Sequence, residues 1–247
     1  MRIILLVTLI FFSSCSFSDH LFERVSSDQS GIHFSNTITE DGSFNILTEE
    51  YIFNGGGLVS ADFTNDGYRD LFFTGNQVSN ALYINRGDMV FEDQTEVSGI
   101  GMSEQWATGA TYADVNADGW LDLYVCTAMN TDNRRNILWI NEGLDAEGNI
   151  SFSDQTQAFG LEHTGNSMGA VFFDYNKDGF LDLYVINNEQ SESIPMNYRN
   201  KVVDGSAPSN DALFKNNGDG SFTDVTKEAG ILVEGFGLGI VVSIPTP

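Results

Sequence analysis

The chain has 247 residues, 41% of them hydrophobic, which is enough apolar material for a packed core and argues against an intrinsically disordered protein. Acidic residues outnumber basic ones 35 to 11, giving a formal net charge of -24, a field that repels phosphate backbones and argues against nucleic acid as a partner. The 25 glycines, 19 phenylalanines and only 4 prolines, with many Asn and Asp, favour short strands joined by tight turns and predict an all-β fold.

Met1-Arg2 precedes an apolar run from Ile3 to Phe12, followed by Ser13-Ser14-Cys15. A charged start, an apolar segment and small residues are the layout of a cleaved leader, and such a run is too short to span a bilayer as a mature helix. The Ser-Ser-Cys end resembles the lipobox of bacterial lipoproteins, where cleavage exposes a cysteine that is then acylated. Phe12 stands where an aliphatic residue is usual, and an ordinary secretory signal with Cys15 incidental is the alternative. The expectation is a leader over 1–15 with lipidation at Cys15, a linker over 16–30, and a membrane contact made only through the lipid. That places the protein as secreted or as a cell-surface lipoprotein of a bacterium. Cys126, which follows Leu123-Tyr124-Val125, is then expected to be a buried free thiol.

From residue 31 onward the chain repeats. The segment Gly31 to Thr37 reads as the last strand of a preceding unit. Three copies of one loop follow: Asp62-Phe-Thr64-Asn-Asp66-Gly67-Tyr-Arg-Asp70, Asp114-Val-Asn116-Ala-Asp118-Gly119-Trp-Leu-Asp122 and Asp174-Tyr-Asn176-Lys-Asp178-Gly179-Phe-Leu-Asp182. A glycine stands five residues before each copy (Gly57, Gly109, Gly169), and an apolar run follows each. A Leu-x-x-Asn block comes next (Leu82 to Asn85, Leu138 to Asn141, Leu213 to Asn216). A Phe-x-Asp-x-Thr block closes the unit (Phe91 to Thr95, Phe152 to Thr156, Phe222 to Thr226). Each unit therefore predicts four short strands, and spacings of 52 and 60 residues between the loops suit the blades of a β-propeller. Gly235 to Ser243 reads as the start of a further unit, so residues 31–247 are expected to hold about three full blades and two partial ones, with the propeller incomplete at its C-terminal end.

Oxygen ligands at loop positions 1, 3, 5 and 9, a backbone carbonyl at 7 and a turn-permitting glycine at 6 can wrap one hard cation. Calcium fits that donor set; zinc and copper prefer His or Cys, and magnesium prefers fewer protein ligands. The candidate ligands are Asp62, Thr64, Asp66 and Asp70, then Asp114, Asn116, Asp118 and Asp122, then Asp174, Asn176, Asp178 and Asp182. Two to three structural calcium ions are expected, with the first loop weaker because Thr64 offers only a hydroxyl. An EF-hand is excluded, since its bidentate Glu at position 12 is replaced by Phe73, Val125 and Val185. Asp/Asn-Gly hairpin turns are the plain alternative, but a turn does not require carboxylates at 1, 5 and 9 in every copy.

The Asp-x-Asn-x-Asp-Gly-x-x-Asp-Leu pattern resembles the FG-GAP, or VCBS, repeat of integrin α-subunit propellers. The Leu-x-x-Asn and Phe-x-Asp-x-Thr blocks resemble bacterial secreted relatives of cartilage acidic protein and the ASPIC/UnbV group. The resemblance covers roughly residues 31–243 and implies a seven-bladed ring in intact members, with the calcium loops on one rim. The Pro of the family's Gly-Ala-Pro is absent, and so is an ASPIC/UnbV tail.

The function expected is a calcium-stabilised binding or adhesion module for a protein or glycan. A propeller-scaffold enzyme and a fragment of a longer protein without a function of its own are the alternatives. No catalytic residues stand out: His20, His33 and His163 are scattered, with no repeated acid or nucleophile beside them. Arg86-Gly87-Asp88 spells an integrin-recognition tripeptide but sits where Asn217-Gly218-Asp219 makes a hairpin turn. Trp106, Trp120 and Trp139 read as packing residues. The long connection 189–211, carrying Tyr198, Arg199 and Lys201, is the candidate partner contact.

Overall fold

The computed structural model describes residues 21–49, 51–101, 105–129, 134–188 and 200–243. Cys15 and the leader, Tyr198 and Arg199 lie outside these residues. Twelve strands form three four-stranded antiparallel sheets, each a meander in chain order. The first sheet holds β1 (Leu58–Ala61), β2 (Asp70–Phe73), β3 (Ala81–Asn85) and β4 (Phe91–Asp93). The second holds β5 (Trp106–Ala113), β6 (Asp122–Ala128), β7 (Ile137–Leu144) and β8 (Ile150–Asp154). The third holds β9 (Ser167–Phe173), β10 (Asp182–Asn187), β11 (Ala212–Asn216) and β12 (Phe222–Asp224). These are three blades of a β-propeller.

The blades stack because the middle one is apolar on both faces. Leu123, Val125, Ile137 and Trp139 point into one core with Val59, Phe72, Leu82 and Ile84 of the first blade. Their strand neighbours Tyr124, Cys126, Leu138 and Ile140 point the other way, into a core with Leu183, Val185, Phe214 and Phe222 of the third. Successive side chains on a strand alternate faces, so an unbroken apolar run is what a strand buried on both sides requires. Each such side chain contributes about 1.5–3 kcal/mol by leaving water. Cys126 is a buried free thiol in the second core.

The repeated glycines set how closely the blades approach on their inner side. A Cβ added to Gly57 would stand 2.9 Å from Gly109 Cα, and one added to Gly109 would stand 2.9 Å from the Met168 carbonyl and 3.3 Å from Gly169 Cα. Inner strands therefore meet backbone to backbone at these positions. Hydrogen bonds seal the same seam: Ala107 N–H donates to the Gly75 carbonyl at 3.0 Å, and the Thr108 hydroxyl donates to the Ser167 carbonyl at 2.6 Å.

The closing Phe-x-Asp-x-Thr block works through its polar residues. Asp93 Oδ1 accepts from the Thr95 amide at 3.0 Å and hydroxyl at 2.6 Å, while Thr95 Oγ1 accepts from Leu82 N–H on β3 at 3.0 Å. Asp154 and Thr156 make the same bonds back to Leu138, and Thr226, whose amide donates to Asp224, accepts from Leu213. The chain then leaves the blade through a turn ended by a glycine at positive φ (Gly99, Gly160, Gly230).

The two ends differ from expectation. Gly31 to Thr37 forms no strand; Ser27–Ser30 is a single helical turn closed by Gly31, the same device that follows β4 at Thr95–Ser98 and Gly99. The segment is held by side chains, with Phe34 stacked on Phe73 at 5.0 Å and the His33 amide donating to the Tyr83 hydroxyl at 3.2 Å. Near the other end, Phe236 makes one isolated antiparallel bridge with Asn188, and Gly237 N–H donates to the Asn187 carbonyl. Lys201 lies over the Phe236 ring, 5.8 Å from its centroid.

Candidate metal centre

Each of the three repeated loops joins the innermost strand of a blade to the second. Position 4 takes positive φ (Asn65 57°, Ala117 59°, Lys177 63°), and so does the glycine at position 6 (Gly67 88°, Gly119 93°, Gly179 92°). Two left-handed residues so close together coil the backbone and turn its amides inward. The carboxylate at position 1 accepts two of them. Asp62 takes the Asp66 and Gly67 amides at 3.2 and 2.9 Å; Asp114 and Asp174 repeat the pair at 3.1 and 2.9 Å. The carboxylate at position 5 accepts the amide of position 7, at 2.8 Å for Asp66 and Asp118 and 3.0 Å for Asp178.

Position 9 is the anchor. Asp70, Asp122 and Asp182 are fully buried. One oxygen of each accepts the amide of loop position 2 (Phe63, Val115, Tyr175) and the other accepts the amide of the Leu-x-x-Asn asparagine (Asn85, Asn141, Asn216), all at 2.8–3.0 Å. That asparagine returns a bond of its own. Asn141 Nδ2 donates to the Leu121 carbonyl at 3.1 Å and, across the blade seam, to the Phe63 carbonyl at 3.0 Å, while its Oδ1 accepts from Gly143. A second tie crosses the seam at the loop tips, where Asn65 Nδ2 donates to the Gly119 carbonyl at 3.0 Å.

Burial pushes the Asp70 carboxyl up to about 6 and Asp122 up to about 7, and raises Asp182. Backbone amides partly oppose this, and the carboxylates at positions 1 and 5 of the same loop push it further up. The position 9 carboxyl of each loop therefore feels the negative charge of positions 1 and 5, as a smaller effect than its burial. In the third loop Lys215 relieves part of that charge, its Nζ lying 3.8 Å from Asp178 Oδ2.

Position 3 divides the loops. Asn116 and Asn176 are exposed, and each donates to the position 5 carboxylate at 2.7 Å. Thr64 is turned inward instead, and its buried hydroxyl has no hydrogen-bond partner. The donor set, all carboxylate, amide and hydroxyl oxygen, suits a hard cation, and the orphaned Thr64 hydroxyl is a free oxygen beside the first loop. Among the described residues no group of three or more His, Cys, Asp or Glu is gathered tightly enough to hold a metal as it stands. A cation held by these residues would have to draw positions 1, 5 and 9 together. These loops are short, and positions 1 and 5 are on their solvent side.

A family model described as an FG-GAP-like repeat matches residues 62–125, from the first residue of the first loop to the strand after the second. Those residues are an FG-GAP-like repeat. No curated protein matches the chain. The third loop reproduces the position 1 and position 9 bonds of the FG-GAP-like stretch, although the match ends at Val125.

Several sequence features settle into packing roles. The aromatic at loop position 7 covers the glycine of the β3–β4 type hairpin in every blade. A Cβ on Gly87, Gly143 or Gly218 would stand 3.7, 3.0 or 2.7 Å from Tyr68, Trp120 or Phe180. Trp106 and Trp139 are buried. Arg86 of the Arg-Gly-Asp tripeptide pairs with Glu92 on its own hairpin at 2.6 Å. His163 is packed edge-on against Phe214 and bonded to Asn187, and its burial lowers its pKa. Sequence reasoning did not identify the clamping role of these asparagines, nor that Asn141 bridges two blades; their recurrence after each loop is the signal that marks the clamp.

Proposed function

We propose that this FG-GAP repeat chain is a calcium-binding β-propeller module that presents a rigid surface to a protein or glycan, and that it acts by binding and not as an enzyme. The observation that carries the reading is the threefold recurrence of carboxylates at positions 1, 5 and 9 on loops coiled by the same two left-handed residues. Uncompensated negative charge of this kind opposes folding, and a divalent cation converts it into cross-links between the two inner strands of each blade. Calcium is then structural. Asp114, Asn116, Asp118 and Asp122 form the best site. Asp174, Asn176, Asp178 and Asp182 form a second, with Lys215 as a competitor, and Asp62, Asp66 and Asp70 with the Thr64 hydroxyl form the weakest. The Ser13-Ser14-Cys15 end of the leader supports display on a bacterial surface through a lipid at Cys15. The Leu-x-x-Asn and Phe-x-Asp-x-Thr blocks support kinship with the ASPIC/UnbV-related secreted proteins.

The test is calcium titration by calorimetry alongside thermal unfolding in calcium and in excess chelator. Two to three sites and a rise in the unfolding midpoint with calcium are expected, since a ligand that binds only the folded state stabilises it by mass action. A folded protein with no calcium heat and an unchanged midpoint would show the loops to be turns.

A further inference from the structure

A cavity of about 560 Å³ opens where the connection from the second blade meets the outer strands of the third, lined by Arg134, His163, Asn210, Asp224, Thr226 and Lys227 among others. The repeat supplies a direct comparison. Asn210 stands three residues before the Leu of the Leu-x-x-Asn block, where the second blade has Arg135, and Asp224 corresponds to Asp154. In the second blade Arg135 ion-pairs with Asp154, so a side chain at this place points towards the closing aspartate. In the third blade Asn210 is too short to do so. Asp224 accepts the Thr226 amide through one oxygen and has no ion pair among the described residues.

Two groups in the cavity wall are left incomplete. Asn210 is 8% exposed; its Nδ2 donates to the Ile231 carbonyl at 3.2 Å, but its Oδ1 is buried without a donor. The amide lies beside Gly205, another lining residue, where a Cβ would stand 3.7 Å from Asn210 Nδ2. A buried acceptor left unmatched is satisfied by a ligand that brings an N–H.

Arg134 is the second. Its Nε and Nη1 donate to the Thr164 and Met129 carbonyls and to Asn166 Oδ1, all neutral acceptors, and it makes no ion pair among the described residues. Burial lowers its pKa, and no carboxylate opposes that shift. Arg86 and Arg135 each have an acid, and a chain with 35 acids to 11 bases has acids to spare. A part-buried guanidinium without one is completed by an anion. Lys227 is answered by Asp204, which does not line the cavity. His163 is within electrostatic reach of both Asp224 and Arg134, so the two unanswered charges, of opposite sign, flank one imidazole.

The net charge of -24 discriminates among ligands. A free anion would enter against that field, whereas a molecule carrying both signs meets no net repulsion. We propose that this cavity binds a small free amino acid, with its carboxylate on Arg134 and its ammonium group on Asp224 and Asn210 Oδ1. The second blade carries the cationic half of that contact in its own chain, as Arg135. The site is separate from the calcium loops and does not depend on them.

The test is an NMR titration of the full chain with glycine, β-alanine and γ-aminobutyrate, which space the two charges differently, with acetate and methylamine as single-charge controls. Saturable binding of at least one amino acid is expected, about tenfold tighter or more than either control. Asn210→Arg copies the second blade and fills the cavity, so it removes binding while the chain stays folded. Asp224→Asn keeps an oxygen for the Thr226 amide and weakens binding about fivefold or more. Arg135→Ser leaves binding at the third blade intact. Absence of saturable binding of all three amino acids, or unchanged binding in folded Asn210→Arg, overturns the proposal. Acetate bound as tightly as the best amino acid, or unchanged binding in Asp224→Asn, overturns the part assigned to the ammonium group. Methylamine bound as tightly overturns the part assigned to Arg134. The calcium-induced shift in midpoint, read on the same samples, reports separately on the loops.

Discussion

Asn141→Ala is the substitution that most directly probes how the candidate calcium loops are held to one another. The side chain is 1% exposed and makes three hydrogen bonds: to the Phe63 carbonyl in the first loop, to the Leu121 carbonyl in the second, and from the Gly143 amide. Its repeat partner Asn216 makes only two, with Leu181 and Gly218, both within its own blade. Each buried bond contributes about 1 kcal/mol net, with a further penalty where a partner is left without water. Asn141→Ala should therefore cost about 3–4 kcal/mol and Asn216→Ala about 2 kcal/mol, the difference being the bond across the seam. In a chain of this size 1 kcal/mol corresponds to about 2–4 °C of midpoint, so the two variants should separate by several degrees in calorimetry. Equal losses in the two variants would refute the claim that Asn141 carries an inter-blade bond, and a loss below about 1 kcal/mol in Asn141→Ala would refute the claim that these groups are sealed from water.

Asp118→Ala removes an acceptor on the exposed side of the second loop, so in chelator its midpoint should lie within about 1 kcal/mol of the parent, while its calcium-dependent rise is reduced by one site; a full rise with unchanged stoichiometry would contradict its role as a ligand. The raised carboxyls give a pH dependence of definite sign. Asp70 and Asp122 keep their protons in the folded chain up to about 6 and about 7, where the unfolded chain has released them, so their contribution is complete below the ordinary carboxylate pKa and is lost as pH rises through 6 and 7. Urea unfolding in chelator should show lower stability at pH 8 than at pH 5 with calcium narrowing the gap, and a steady rise with pH would be the contrary result. Gly109→Ala places a Cβ 2.9 Å from the Met168 carbonyl and should cost about 1–3 kcal/mol, whereas Gly239→Ala, with open space around it, should be close to neutral; urea midpoints of the two variants decide it.

The four-strand unit and its threefold recurrence were legible in the sequence because side-chain alternation and turn chemistry act locally. Leu123-Tyr124-Val125 announces a strand buried on both faces, and Asp-Gly at loop positions 5 and 6 announces a coiled turn. The loop residues were also legible as a set, since each copy repeats them. The seams between blades were not. Nothing local tells that Gly57 and Gly109 meet backbone to backbone, that Asn141 crosses to Phe63 while Asn216 does not, or that Thr64 turns inward. Those outcomes depend on where a second blade lies. Gly31 to Thr37 misled for a related reason: its apolar and polar alternation suits a strand, but Phe34 and His33 are engaged by Phe73 and Tyr83 side chains, with no ladder partner for the backbone.

The contact between Asn65 and the Gly119 carbonyl joins the tips of the first two loops. Asn65 stands at position 4 of its loop and Gly119 at position 6 of the next, so whatever stiffens one coil removes conformational freedom from the other. If calcium binds as proposed, binding at the second loop would supply part of the ordering required at the first, so the weakest of the three proposed sites would depend on its neighbour for affinity. The corresponding residue one blade on is Ala117, whose methyl group has no hydrogen bond to offer the third loop. On the proposed calcium reading the coupling is confined to the first pair of loops, and the third would respond to calcium by itself.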